Sequence, residues 1–147
     1  MDRQDGFTLI ELSLVIAIIA IVAAIAVPSF VATRIESNES SAIQNLRSIS
    51  TSEIGYHASR GAFGTLDELN AEPPGGGPPF LNGEWSDGIE KNGYLFTMDS
   101  ATESEFVCYA DPTLHNRSGR RYFRVDTSGI IRYDFGGRPA VDASPIH

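Results

Sequence analysis

Residues 7–28 read FTLIELSLVIAIIAIVAAIAVP, and this stretch decides how the rest of the chain is understood. From residue 7 to residue 27 every side chain is apolar except Thr8, Ser13 and one carboxylate, Glu11. As a helix rising about 1.5 Å per residue, the run reaches about 31 Å, the thickness of one bilayer core. A carboxylate inside such a segment costs on the order of a few kcal/mol near the bilayer centre, so an ionisable group there marks a function. Only six residues, MDRQDG, stand before it.

The polar leader ending in Gly6, the sequence Phe7-Thr8-Leu9-Ile10-Glu11-Leu12, the Ile/Val/Ala-rich run and Pro28 together resemble the prepilin signature of type IV pilins and the related type II secretion pseudopilins. The resemblance is strong over the first thirty or so residues and general beyond them. It implies that a membrane-embedded prepilin peptidase cuts between Gly6 and Phe7 and then methylates the new amine of Phe7. Glycine suits such a site because its backbone carries no side chain to obstruct the peptidase. It further implies that Glu11 pairs with the Phe7 ammonium of a neighbouring subunit. That pairing would remove two lone charges from a low-dielectric core and set axial register. The implied partners are further copies of the same chain in a homopolymer, the peptidase, and an inner-membrane assembly platform. The implied location is the inner membrane for the precursor and a cell-surface filament for the product. The leader departs from the family pattern by setting Arg3 against Asp2 and Asp5 where several basic residues are usual. Orientation in a membrane counts basic residues and largely ignores acidic ones, so Arg3 with the amino terminus can serve.

Two plainer readings compete. A secretory signal peptide would need a basic n-region, a shorter apolar run and a small-x-small cleavage site. Ala24-Ile25-Ala26 offers the last, but the run is of spanning length and the n-region is thin. A single-span anchor accounts for the length and leaves Glu11 and the Gly6-Phe7 junction unexplained.

Composition bounds the remainder. The chain has 147 residues and a formal charge of −8. Without residues 1–6 it holds 10 basic and 17 acidic residues, a charge of −7. Residues 36–111 carry 13 acidic and 3 basic residues, whereas residues 117–138 carry 6 Arg and 2 Asp. That asymmetry fits internal ion pairs, each weak at a surface. It also fits complementary faces that steer one subunit onto the next. Cys108 is the only cysteine, so no intrachain disulfide forms, unlike the C-terminal disulfide loop of many pilins. Its strand-like neighbourhood, Glu105-Phe106-Val107-Cys108-Tyr109-Ala110, favours a buried structural thiol.

Beyond Pro28 the helical pattern resumes. Val31, Ile35, Ala42, Leu46 and Ile49 recur at helical spacing, while Arg34, Glu36, Asn38, Glu39, Gln44 and Arg47 fall largely elsewhere. This predicts an amphipathic helix over residues 29–57. Pro28 lacks a donor, and residues 36–41 are polar residues that compete with the helix backbone, so local unwinding or a kink at Pro28 is expected in the polymer. Thr65 is placed to cap a short helix at residues 65–69. Residues 73–79, PPGGGPP, exclude regular structure. Strand-like runs at 94–98, 105–110, 121–125 and 130–135 predict a small antiparallel sheet within residues 94–136, with Asp126-Thr127-Ser128-Gly129 as a turn. Ile131, Tyr133 and Phe135 share one face by alternation. The expected fold is α+β and pilin-like. A leader (1–6) precedes a membrane or filament-core helix (7–28), and a soluble head (29–147) packs its amphipathic helix on the sheet.

Chemistry finds few footholds, and the sequence assigns no catalytic, cofactor-binding or metal site. His57, His115 and His147 have no ligand-like spacing, and Cys108 is alone. Asn82, Glu84, Asp87 and Glu90 form an oxygen-rich stretch, but the spacing is not that of an EF-hand. The cluster of arginines in an acidic chain argues against tight nucleic-acid binding. Asn38 and Asn116 begin glycosylation sequons of a kind common by chance. The sequence therefore points to a structural, assembly-forming pilin-like subunit. A secretion pseudopilin and a membrane-anchored module that never polymerises are the alternatives, and Glu11 speaks against the latter.

Overall fold

A computed structural model describes residues 7–146. Gly6, the rest of the leader and His147 lie outside the described residues. The chain divides into two compact units, Met1–Arg34 and Ile35–His147. Helix α1 (Leu9–Arg60) supplies the regular structure of the first unit and one helix of the second.

In the first unit the helix is apolar on every side from Leu9 to Val27 but for Glu11 and Ser13. No residue from 7 to 34 is buried, and large apolar side chains such as Leu9, Ile16, Ile21 and Ile25 stand open. The segment is long and apolar enough to cross a membrane. The helix continues through Pro28 in this single chain. Pro28 has no amide hydrogen, so the carbonyl of Ala24 loses its ladder partner and the helix is weakened there.

Among the described residues, the second unit is built by residues 35–60 of α1, a short helix α2 (Leu66–Asn70) and six strands. These are β1 (Ile89–Lys91), β2 (Tyr94–Ala101), β3 (Phe106–Pro112), β4 (Tyr122–Asp126), β5 (Arg132–Asp134) and β6 (Ser144–Pro145). The sheet is antiparallel in the order β1-β2-β3-β4-β5-β6, each strand pairing with its neighbour in sequence. It extends past both ends of the 94–136 span expected from sequence. Strand β1 turns into β2 through Asn92 (φ 50°) and Gly93 (φ 73°), the left-handed pair that a two-residue hairpin turn requires. A bulge between Met98 and Ser100 lengthens β2 beyond the expected run.

One sheet face carries Tyr94, Phe96, Phe106, Cys108, Ala110, Phe123 and Val125, all buried with Ala42, Leu46 and Ile49 of α1 and Leu66 and Leu69 of α2. Register explains the match: Phe96 lies opposite Ala110, and Ala110 opposite Phe123, so large and small side chains alternate across strands. Of the expected apolar trio, Ile131 is buried and Tyr133 half-buried, but Phe135 is 59 % exposed because β5 ends at Asp134. Val31, expected on the apolar stripe, is also exposed.

The buried stripe of α1 is Ile35, Glu39, Ala42, Leu46, Ile49, Glu53, at alternating spacings of four and three. Two carboxylates thus occupy positions that the sequence reading assigned to the polar face or left unplaced. The polar run 36–41 stays helical because its side chains find distant partners. The Asn38 amide donates to the Ser118 carbonyl (2.8 Å), and Asn92 donates to Ser41 Oγ (2.6 Å). Such groups no longer compete for the local backbone. The helix ends at Gly61, whose φ of 77° is the left-handed conformation that favours glycine and whose amide donates to His57 O (2.8 Å).

Candidate functional site

Thr8 and Glu11 open α1. The Thr8 amide and hydroxyl donate to Glu11 Oε2 (3.0 and 2.8 Å), and the Glu11 amide donates back to Thr8 Oγ1 (3.2 Å). This is a reciprocal capping box, which satisfies donors that the first helical turn leaves without partners. The signal, Thr-x-x-Glu at a helix start, stands in the sequence but was not read there. The same box recurs where Thr65 caps α2 against Glu68, as expected for Thr65. Glu11 therefore has a role inside one chain already, while remaining exposed on an apolar helix. Phe7 is 86 % exposed beside it. Gly6, the other half of the expected cleavage junction, lies outside the described residues.

The acidic and Arg-rich segments meet within the head. Glu39 Oε1 accepts from the amides of Arg120 (2.8 Å) and Arg121 (3.2 Å), and Glu39 Oε2 accepts from Arg121 Nε (2.8 Å). The Arg121 guanidinium also lies over the rings of Phe123 (5.3 Å) and Tyr133 (5.2 Å). Arg138 donates to Asp111 (2.8 Å) and Thr97 (2.9 Å) and covers the Tyr109 ring at 4.6 Å. Of the two readings of the charge asymmetry, internal pairing is the one that Arg121 and Arg138 follow.

Glu53 is wholly buried in the core. Its Oε2 accepts from the Gly64 amide (2.9 Å), and its Oε1 has no partner. Burial pushes its carboxyl up to about 7, against the pull of the Gly64 hydrogen bond. Cys108 is buried on the sheet face that packs against α1, and desolvation pushes its thiol far up, which makes it inert as a nucleophile. Among the described residues no three His, Cys, Asp or Glu side chains converge to hold a metal. In the oxygen-rich stretch, Asp87 Oδ1 accepts from the Met98 amide (2.8 Å) and so ties the loop before β1 to β2.

Residues 1–27 match the family model of the prokaryotic N-terminal methylation motif. The chain is 37 % identical over 75 residues to the type IV major pilin protein PilA of Myxococcus xanthus, covering 50 % of this chain and 34 % of that relative. It is 36 % identical over 74 residues to the type IV narrow pilus major component PilA5 of Thermus thermophilus, covering 50 % of this chain and 64 % of that relative. The matches thus span less than two thirds of either relative's length. The first 27 residues thus match the methylation motif, and the similarity to the two pilus proteins extends over 50 % of the chain.

Proposed function

We propose that this protein is a type IV pilin-like structural subunit that polymerises into an extracellular filament. One observation carries the proposal: an apolar helix beginning with a methylation motif, uncovered along residues 7–34, with a single carboxylate, Glu11, near its start. An apolar surface of that length is stable in a bilayer or against other copies of itself, and a subunit passing from one to the other uses both. Prepilin peptidase would cut between Gly6 and Phe7 and methylate Phe7. Glu11 would then leave or share its Thr8 cap to meet the Phe7 amine of a neighbour. The inner membrane would hold the precursor beside an assembly platform. Both relatives are named as major pilus components, which favours a pilin over a secretion pseudopilin.

The test is electron microscopy of filaments sheared from cells, with mass spectrometry of their subunits. Filaments containing this chain, beginning at a methylated Phe7, support the proposal. Cell-bound protein retaining Met1, or cleaved after Ala26 and absent from any filament, would sink it.

A further inference from the structure

Arg124 and Arg132 stand directly opposite one another across β4 and β5. Like charges so placed weaken a sheet unless a counter-charge lies between them. Both line an open pocket of about 280 Å³ together with Glu105, Asp126 and Ser128. Arg124 is only 8 % exposed, and the buried Nε atoms of both arginines have no hydrogen-bond partner. Arg132 Nη1 donates to the Ala143 carbonyl (2.9 Å). Arg124 Nη1 lies 2.8 Å from Asp126 Oδ2 but makes no aligned hydrogen bond.

Asp126 is hydrogen-bonded within its own turn and is felt by both guanidiniums, yet it makes no hydrogen bond to either. Its Oδ1 accepts from the Ser128 amide (2.9 Å) and hydroxyl (2.5 Å), and its Oδ2 faces Arg124. Burial raises its pKa, yet the Ser128 bonds and the two arginines outweigh burial and hold it below the usual carboxylate range. The pocket is therefore lined by two guanidinium groups and two carboxylates, Asp126 and Glu105, and Arg124 Nε, Arg124 Nη1 and Arg132 Nε are left without hydrogen-bond partners.

We propose that this pocket binds a small oxyanion, a carboxylate or a phosphate, between Arg124 Nε and Arg132 Nε. Buried charged donors without acceptors are costly, and a charge-assisted bond to an oxyanion supplies acceptor and counter-charge together. A water molecule could accept the hydrogen bonds but would leave the charge. Glu105, exposed on the wall and in no ion pair among the described residues, opposes the anion.

The experiment uses the full chain in detergent micelles with ¹⁵N-labelled arginine. The Nε–H resonances are followed while inorganic phosphate or acetate is added at constant ionic strength, with chloride as control. The expected result is a saturable shift at Arg124 and Arg132 and none at exposed Arg117. Arg132→Gln should abolish the shift at Arg124, and Glu105→Gln should tighten binding several-fold. In assembled filaments, the one arm that rests on the polymer reading, resonances already shifted and insensitive to phosphate would identify the oxyanion as a neighbouring copy's carboxylate. No saturable shift beyond chloride in micelles, together with unshifted resonances in filaments, overturns the proposal and leaves the pocket to water.

Discussion

Glu39 and Arg121, 82 residues apart in sequence, are joined at 2.8 Å between Glu39 Oε2 and Arg121 Nε, with side-chain exposures of 8 % and 29 %. The contact fastens α1 to the start of β4 at a position where helical periodicity calls for an apolar residue. Removing one member of a buried pair leaves the other charge uncompensated, at a cost of about 3–5 kcal/mol. Since Arg121 keeps some water, Glu39→Ala should cost about 3 kcal/mol, read as a fall in the urea midpoint of the micellar protein. Arg121→Ala should cost less, because the Arg120 and Arg121 amides still serve the carboxylate. Equal and negligible losses would refute the clasp.

Glu53 makes the head less stable as pH rises. The carboxyl ionises near 4.5 when unfolded and at about 7 when folded. Between those values the folded state binds more protons, so each step up in pH lowers stability. The effect is absent below about pH 4.5 and complete above about pH 7, amounting to about 3 kcal/mol. Urea midpoints for the wild type should decline from pH 5 to pH 8 relative to Glu53→Gln. Parallel curves for the two proteins would disprove this.

Glu11→Val should be inserted in the membrane and fold its head normally, yet give few filaments. The substitution removes both the proposed partner of the neighbour's Phe7 amine and the cap on Thr8. Glu11→Gln separates the two roles, because a glutamine can still complete a capping box. If Glu11→Gln assembles as well as wild type, the cap matters and the charge pairing does not.

Arg121 and Arg138 are engaged inside the chain, so a test of electrostatic assembly belongs at Arg117 and Arg120, whose side chains are exposed. The double substitution Arg117→Glu, Arg120→Glu should change head stability by no more than about 0.5 kcal/mol. Filament integrity should vary little between 0.1 and 1 M salt, although the Debye length shrinks from ~10 Å to ~3 Å. Filaments that loosen steeply over this range would restore complementary faces between subunits.

The unwinding expected at Pro28 concerns the polymer, where neighbouring helices compete for the same space. A filament map with lost helical density around residues 24–28 would bear it out. Straight, unbroken density from Phe7 onward would not.

The N-terminal segment was legible because its features are local: length, apolarity and one misplaced charge. The central strands were legible for the same reason, since alternation and the Asp126–Gly129 turn lie within short windows. Strand β1 was missed although Asn92-Gly93 marks a hairpin turn, because the acidic residues before it suggested a loop. Strand β6 holds only Ser144 and Pro145, too little to carry a pattern. Glu39 and Glu53 were unreadable in principle from periodicity alone. A carboxylate on an apolar stripe is tolerated only where a distant group answers it, and Arg121 and Gly64 reveal themselves only in three dimensions. The Arg124–Arg132 pocket is hidden likewise, since its members join through register.

The strict order of the sheet, β1 to β6 without a crossover, bears on how the molecule comes to exist. Every strand finds its partner in the segment made just before or just after it, so little loop-closure entropy opposes each step and contact order is low. Such a sheet can be laid down progressively from the β1–β2 hairpin as the chain is synthesised. The seam between α1 and β4 has a different schedule. Glu39 must wait for Arg121, and the apolar stripe between Ala42 and Ile49 must wait for Phe123, more than seventy residues later. Until β4 is made, the helix has an unfinished wall.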